Sequence, residues 1–392
     1  MRPDALLLVA QAGRGLARAA LRAGHPAVGM DAFADRDTCD LALAWERAPL
    51  DDDGEFEAEA LFAAAERLCP PDRCAGLVYG AGFEASPALL ARLARGRRLF
   101  GNSPEVLARV NDPADFAATL ARLGLPHPET RETLPGDAAG WLAKRRGGRG
   151  GIHVQPATPA AELAETYFQR RLEGVACSLL FLAAGGQIRA VGFNRLLAAP
   201  PEAPGAWAYS GAVAPAGLPR GLVAEVIEAA RRLAGEYGLV GLNGIDFLVA
   251  GEAWHLLELN ARPTATLELW DQDPQPALLD LHLAACRGEL PDGLAGPAGG
   301  RAVAVAYAGE KLRVPAGFPW PDWCADLPRG GSSLSPGAPV CSVTALAGDA
   351  AGAEALAAAR RRAILDRLAA PMGRPAAALF PESARTAPPR HV

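Results

Sequence analysis

Two carboxylates twelve residues apart, Asp246 and Glu258, interrupt stretches that are otherwise apolar: Gly-Leu-Asn-Gly-Ile-Asp-Phe-Leu-Val over 241–249 and Trp-His-Leu-Leu-Glu-Leu-Asn-Ala-Arg-Pro over 254–263. Residues two apart on a strand share a face, so Glu258 and Asn260 point the same way and Arg262 continues that face. The turn Ala250-Gly251-Glu252 folds the two stretches into a hairpin and brings Asp246 beside the pair. Two carboxylates and a carboxamide oxygen are hard ligands suited to Mg2+ that also bridges substrate phosphates. A guanidinium beside them can neutralise a phosphoryl group during transfer. The alternative is a satisfied polar patch at a sheet end. Carboxylates inside apolar strands are costly without partners, which favours the metal reading.

The second candidate is Lys144-Arg-Arg-Gly147-Gly148-Arg149-Gly150-Gly151-Ile-His153. An expected strand delivers a lysine, and four glycines in five residues follow it. Glycines let backbone amides approach phosphate oxygens, and the ammonium adds a point charge. No Gly-Lys-Ser/Thr opens a helix here, so this is not a Walker-type phosphate loop. Of 39 basic residues only two are lysines, Lys144 and Lys311, against 37 arginines. A replaceable surface lysine in so arginine-rich a chain would have drifted to arginine, so Lys144 is informative; a flexible ammonium and a planar guanidinium are not interchangeable. Lys311 lies outside every motif.

A weaker motif, Gln11-Ala-Gly13-Arg14-Gly15, stands between the first strand and first helix. With Asp31 ending the next strand it could hold a dinucleotide pyrophosphate and ribose. The third fingerprint glycine is absent, since position 18 is Arg18. A tight strand-to-helix turn is the plainer alternative.

The elements that position these residues fall into successive blocks. Strand and helix alternate through residue 100: strands at 6–10, 27–31, 76–79 and 99–100, helices at 14–23, 55–68 and 86–95. That pattern predicts a parallel, doubly wound, Rossmann-like domain over 1–100. Two helices capped by Ser103-Pro104 and Asp112-Pro113 follow, the second stopping at Gly124. From Pro126-His-Pro128 to about 270, short strands dominate, at 141–144, 167–172, 178–183, 188–194, 245–249 and 254–259, with one amphipathic helix over 219–237. This is an α+β region of mostly antiparallel sheet. A small α/β piece is expected over 291–370, then a loose Pro-rich tail over 371–392.

With 392 residues, half hydrophobic and 21% charged, the composition is globular, and two or three domains fit its length. A net charge of −5 gives no basic field for nucleic acid. The apolar run at 5–10 is too short to span a membrane and reads as a strand. Seven cysteines show no metal-ligand spacing and fit reduced thiols of a cytoplasmic protein.

The order of lysine strand, glycine loop, linker strand, then Asp246…Glu258-x-Asn260-x-Arg262 resembles the ATP-grasp superfamily, from the preceding Rossmann-like domain to about residue 285. The resemblance implies an α/β and α+β fold, with one domain over 101–290 that has a lid at about 127–171 and a core at about 172–290. It also implies ATP and Mg2+ (or Mn2+) as cofactors, and small-molecule carboxylate and amine substrates. It implies Lys144 as the ATP-phosphate lysine, Gly147, Gly148, Gly150 and Gly151 as the lid loop, and Gln169, Arg170, Arg171 and Leu172 as the linker whose backbone meets adenine. Asp246, Glu258 and Asn260 become the metal ligands, and Arg262 the residue stabilising the transferred phosphate. Two departures stand out: Asn111-Asp112 replaces an early lysine, and the Gln169-Arg-Arg linker with Ala176 lacks the usual acidic residues. Gly13-Arg14-Gly15, Asp31-Ala-Phe-Ala-Asp35-Arg-Asp37 and the lysine–glycine loop resemble, more narrowly, ATP-dependent carboligases that accompany tetrahydromethanopterin- and methanofuran-linked C1 metabolism.

The expected activity is ATP-dependent ligation of a carboxylate to an amine through an acyl phosphate. Arg195, Tyr209-Ser210-Gly211, Thr264 and Thr266 are candidates for the substrate wall. A non-catalytic ATP-binding subunit and, less well matched, a dinucleotide oxidoreductase are the rival readings. No nucleic-acid or membrane partner is expected, and a homodimer is left open.

Overall fold

The computed structural model describes residues 4–158, 165–296 and 298–370; the tail expected over 371–392 lies outside them. Five strands, β1 (Ala5–Val9), β2 (Ala27–Asp31), β3 (Ala44–Arg47), β4 (Cys74–Tyr79) and β5 (Leu99–Phe100), form a parallel sheet in the order β3-β2-β1-β4-β5. β1 is buried along its whole length, as a central strand covered on both faces must be. Helices α1 (Arg14–Arg22), α2 (Arg36–Asp40), α3 (Ala58–Leu68) and α4 (Pro87–Leu93) complete this unit, and α5 (Pro104–Asn111) and α6 (Pro113–Arg122) lead away from it. Ser103 and Asp112 cap α5 and α6 through their side chains. β3 escapes the pattern reading, because Ala-Trp-Glu-Arg carries a single large apolar residue. Trp45 is that residue, and it packs over Gly13 and Gly29, where an added Cβ would lie 2.3 and 2.4 Å from its ring.

A small antiparallel sheet follows, β6 (Thr130–Arg131), β7 (Trp141–Arg145), β8 (Gln155–Pro156) and β9 (Thr166–Arg170), in the order β6-β9-β7-β8. The largest sheet is antiparallel and eight-stranded. It contains β10 (Val175–Ala184), β11 (Gln187–Leu196), β12 (Gly211–Ala214), β13 (Gly241–Ala250), β14 (Ala253–Asn260), β15 (Gly300–Tyr307), β17 (Cys324–Ala325) and β19 (Pro339–Ala347), in the order β14-β13-β10-β11-β12-β15-β19-β17. β16 (Leu312–Arg313) and β18 (Ser333–Leu334) pair separately. Helix α7 (Arg220–Tyr237) lays Leu222, Val226, Ala229, Leu233 and Tyr237 on the core and ends at the left-handed Gly238. Two further helices, α8 (Leu267–Trp270) and α9 (Leu278–Ala285), follow β14, and α10 (Ala350–Ala369) covers β15 and β19. The sheet continues across the boundary expected near 291: β15 pairs with β12, Gly211 opposite Ala304. No helix among the described residues is long and apolar enough to cross a membrane.

Candidate active site

β13 and β14 form the expected hairpin, and its register sets Asp246 directly opposite Glu258 and Gly244 opposite Asn260. The pair is electrostatically asymmetric. Burial and the Glu258 charge push the Asp246 carboxyl well above the usual range. Burial would also raise Glu258, but the Lys144 ammonium and hydrogen bonds from Asp246 and Asn260 outweigh it and hold Glu258 low. Glu258 is exposed to solvent, and Asp246 opposite it is half-buried. Two opposed carboxylates, the charge of one disfavouring the charge of the other, make a site that a hard cation would complete. Among the described residues no three His, Cys, Asp or Glu side chains converge on a metal position. The charged donors are therefore this pair, with the Asn260 carboxamide beside them, a set fitted to a cation that draws its other ligands from phosphate and water. The Asn260 amide nitrogen lies 3.2 Å from Glu258 Oε1, and its oxygen accepts from Arg262 Nη2 at 2.9 Å.

Lys144 sits near the end of β7, almost wholly buried, and donates to Gln169 Oε1 at 2.9 Å. Lys311, by contrast, is exposed. The glycine loop after Lys144 threads between two walls. Gly147 has φ +62° and a Cβ there would lie 2.3 Å from the Ala85 backbone; Gly151 has φ +72° and would meet the Trp207 carbonyl oxygen at 1.8 Å. Only glycine fits either place. A Cβ on Gly148 would meet the His153 ring at 2.4 Å, and Gly150 accepts a bond from the Tyr209 amide at 2.8 Å. Between the glycines Arg149 is buried, donating to Gln11 Oε1 at 2.8 Å, to both Glu55 oxygens at 2.8 and 2.9 Å, and to the Gly54 carbonyl. The loop is thereby fastened onto the parallel-sheet unit.

Arg262 is fixed by a residue that the sequence pattern does not single out. Its Nε donates to Glu84 Oε1 at 2.5 Å, and the other Glu84 oxygen accepts from the amides of Gly82 and Phe83 at 2.7 and 3.0 Å. Burial would raise Glu84, but Arg262, the Gly82 amide and Arg149 together hold it low. The available signal is Gly80-Ala-Gly82-Phe-Glu84, an acid in a glycine turn just past an apolar parallel strand, where open α/β sheets present their functional side chains. Tyr79 and Asn102 brace the junction. The Tyr79 hydroxyl donates to the Asn102 and Ala261 carbonyls, and the Asn102 amide donates to Asn243 Oδ1.

Other expected residues already have partners within the protein. The amides of Arg170 and Arg171 donate to the Glu129 and Gly140 carbonyls at 2.8 Å, so they belong to the small sheet. Arg171 also pairs with Glu173. Arg195 binds Glu354 of α10 and is not a free substrate contact. Thr264 and Thr266 bond to one another at 2.8 Å. Asn111 caps its own helix through the Leu107 carbonyl. Tyr209 is tied to the glycine loop through its backbone, its amide donating to the Gly150 carbonyl, and burial with the charges of Glu268 and Asp246 raises its hydroxyl. The Asp31 carboxylate accepts from the amides of Gly13, Phe33 and Ala34. It holds the glycine turn together, as the structural alternative to a ribose contact requires.

A protein with this pairing of sheets and this hairpin site has the ATP-grasp fold. Residues 110–266 match the family model described as ATP-grasp domain, so the chain carries an ATP-grasp domain. Its fold is similar to a biotin carboxylase from Campylobacter jejuni in a β-γ-ATP complex, at 15% identity and TM-score 0.68, covering 93% of this chain and 95% of that one. N5-carboxyaminoimidazole synthase from Aspergillus clavatus, with ADP and 5-aminoimidazole ribonucleotide, gives 12% identity and TM-score 0.67 over 93% and 99%. The Staphylococcus aureus synthetase complexed with ADP gives 15% and 0.65 over 91% and 96%. No curated protein matches the sequence significantly.

Proposed function

We propose that the protein is an ATP- and Mg2+-dependent ligase that joins a small carboxylate to an amine through an acyl phosphate, releasing ADP. The observation that carries this reading is the Asp246–Glu258 pair flanked by Lys144 on one side and Arg262 on the other. Mg2+ held by Asp246, Glu258 and Asn260 would neutralise phosphoryl charge as the substrate carboxylate attacks the γ-phosphate. Lys144 and the amides of Gly147, Gly148, Gly150 and Gly151 would grip the ATP phosphates, and Arg262 would stabilise the transferred phosphoryl group. Adenine would meet the linker at Leu172, since the amides of Arg170 and Arg171 are already bonded. Closure of the loop excludes water, which protects an acyl phosphate until the amine displaces phosphate. ATP-complexed and ADP-complexed structures of the same fold support the choice of nucleotide.

The resemblance to C1-metabolism carboligases supports acids and amines that are precursors of a tetrahydromethanopterin- or methanofuran-type carrier. A mass-spectrometric screen of such precursors, with glutamate among the amines, tests both levels of the proposal. ADP and a ligated product should appear only when acid and amine are both present. Nucleotide binding without ADP for any pair would instead make the chain a non-catalytic ATP-binding subunit.

A further inference from the structure

Three arginines spaced four apart, Arg14, Arg18 and Arg22, line one face of α1. The outer two have carboxylate partners on the segment after β14. Arg14 Nη2 bonds Glu268 Oε2 at 2.6 Å, while Arg22 bonds Asp271 at 2.7 Å and Asp273 at 2.9 Å. The middle one has no acidic partner among the described residues. Its charge instead adds to burial in pushing down the guanidinium of Arg301, at the start of β15.

Arg301 is only 8% exposed, yet its Nε and Nη1 have no hydrogen-bond acceptor among the described residues. It lines a narrow recess with Trp270, Asp273, Gln275 and Gly296. Gln275, 4% exposed, uses its side-chain oxygen to accept from the Ala295 amide at 2.9 Å, which leaves its Nε2 as a further unpartnered buried donor. The Asp273 carboxylate at the rim is turned to Arg22 and largely exposed. A guanidinium keeps its proton at any working pH, so unlike a lysine it cannot relieve burial by becoming neutral. Buried donors with no protein acceptor, lining one recess, are the groups an oxyanion site presents.

We propose that this recess, at the meeting of α1, the 270–275 segment and β15, binds a small oxyanion, a carboxylate or a phosphate, between Arg301, Arg18 and the Gln275 amide. The anion completes the arginine row on α1 and joins three parts of the chain, away from the Asp246–Glu258 hairpin. The site does not depend on the ligase reading.

The test is calorimetric titration of the full chain with acetate and, separately, inorganic phosphate, at constant ionic strength in chloride and with MgADP present throughout. Saturable binding of one anion per chain is expected, weakened about tenfold or more in Arg301→Gln and in Arg18→Gln. Preference for acetate assigns a carboxylate ligand, and preference for phosphate a phosphoryl one. Arg18→Gln alters a partly exposed side chain and decides the question if Arg301→Gln does not fold. Absence of saturable binding overturns the proposal, as does binding unchanged in both arginine variants. Binding lost in Lys144→Gln but kept in Arg301→Gln also overturns it, because the anion would then sit in the nucleotide cleft.

Discussion

Arg262 lies at the end of the β13–β14 hairpin, and Glu84 lies 178 residues earlier in a glycine turn after β4; the two meet with Nε 2.5 Å from Oε1. Glu84 is itself held by two backbone amides, so the parallel-sheet unit sets the direction of the guanidinium. Two consequences follow from this geometry. Arg262 keeps Nη2 for the Asn260 oxygen, and any shift of the parallel-sheet unit against the hairpin moves the guanidinium that we propose stabilises the transferred phosphoryl group. Glu84→Gln should therefore lower kcat about tenfold to a hundredfold while changing the KM for ATP little, since misplacement by an ångström is enough for losses of that order. Steady-state kinetics with a ligating substrate pair measure the split. An effect confined to KM would mean that Glu84 does not position Arg262.

Glu258 is the carboxylate held in its charged form, with Lys144 and Asn260 arrayed around it. Glu258→Gln should reduce ATP turnover by roughly a hundredfold to a thousandfold and weaken Mg2+ binding, followed by Mn2+ titration and electron paramagnetic resonance. Full turnover in this variant would remove Glu258 from the proposed metal ligands.

Arg149 fastens the glycine loop to Glu55 and Gln11. In Glu55→Gln the latch loses its charge pairing, so the loop should open more often. Limited proteolysis within 145–153 should be several-fold faster than in the unaltered protein. ATP hydrolysis without ligation should rise for the same reason, because water then reaches the activated acid. Equal cleavage rates would show that the latch does not govern loop opening.

His282 offers a pH test at the start of β13, where the hairpin begins. Its Nδ1 accepts from the Leu242 amide and its Nε2 lies 3.1 Å from the Phe100 carbonyl, so a neutral ring satisfies both contacts. Burial pushes it from 6.5 down to about 4. Because the folded value lies below the unfolded one, the stability contribution is complete above pH 6.5 and is lost as pH falls toward 4. The loss should total on the order of 3 kcal/mol. Urea denaturation across that interval should show it, and His282→Gln should flatten the slope. A slope unaltered by the substitution would assign the acid sensitivity to other groups.

Lys144→Arg tests the meaning of a lysine in so arginine-rich a chain. Lys144 is almost wholly buried beside Gln169, where a planar guanidinium has neither the room nor the point-charge geometry of an ammonium. The KM for ATP should rise about tenfold or more, measured by initial rates over a range of ATP. An unchanged KM would make the lysine incidental.

What could be read directly from the sequence was local. Asp246, Glu258, Asn260 and Arg262 lie within seventeen residues, and a glycine turn between two apolar runs is enough to pair them. Lys144 and its glycines are contiguous, and the alternation of strand and helix before residue 100 is carried by hydrophobic period alone. The partners of these residues were not legible. Glu84 for Arg262, Glu55 and Gln11 for Arg149, and Glu354 for Arg195 are separated from them by roughly 90 to 180 residues, and hydrophobic periodicity states which face is buried without stating what covers it.

The hairpin itself shows the division most closely. Strict alternation along β14 would put Leu256 on the same face as Glu258. In the folded chain a bulge sets Glu258 against Asp246 but Leu256 against Phe247, so Leu256 turns into the core while Glu258 keeps the cleft. Residue type and spacing determined that a carboxylate pair would form at this turn. Which face each side chain took was decided by tertiary packing, because burying Leu256 beside Phe247 removes apolar surface from water and leaves the charged side chains the open side.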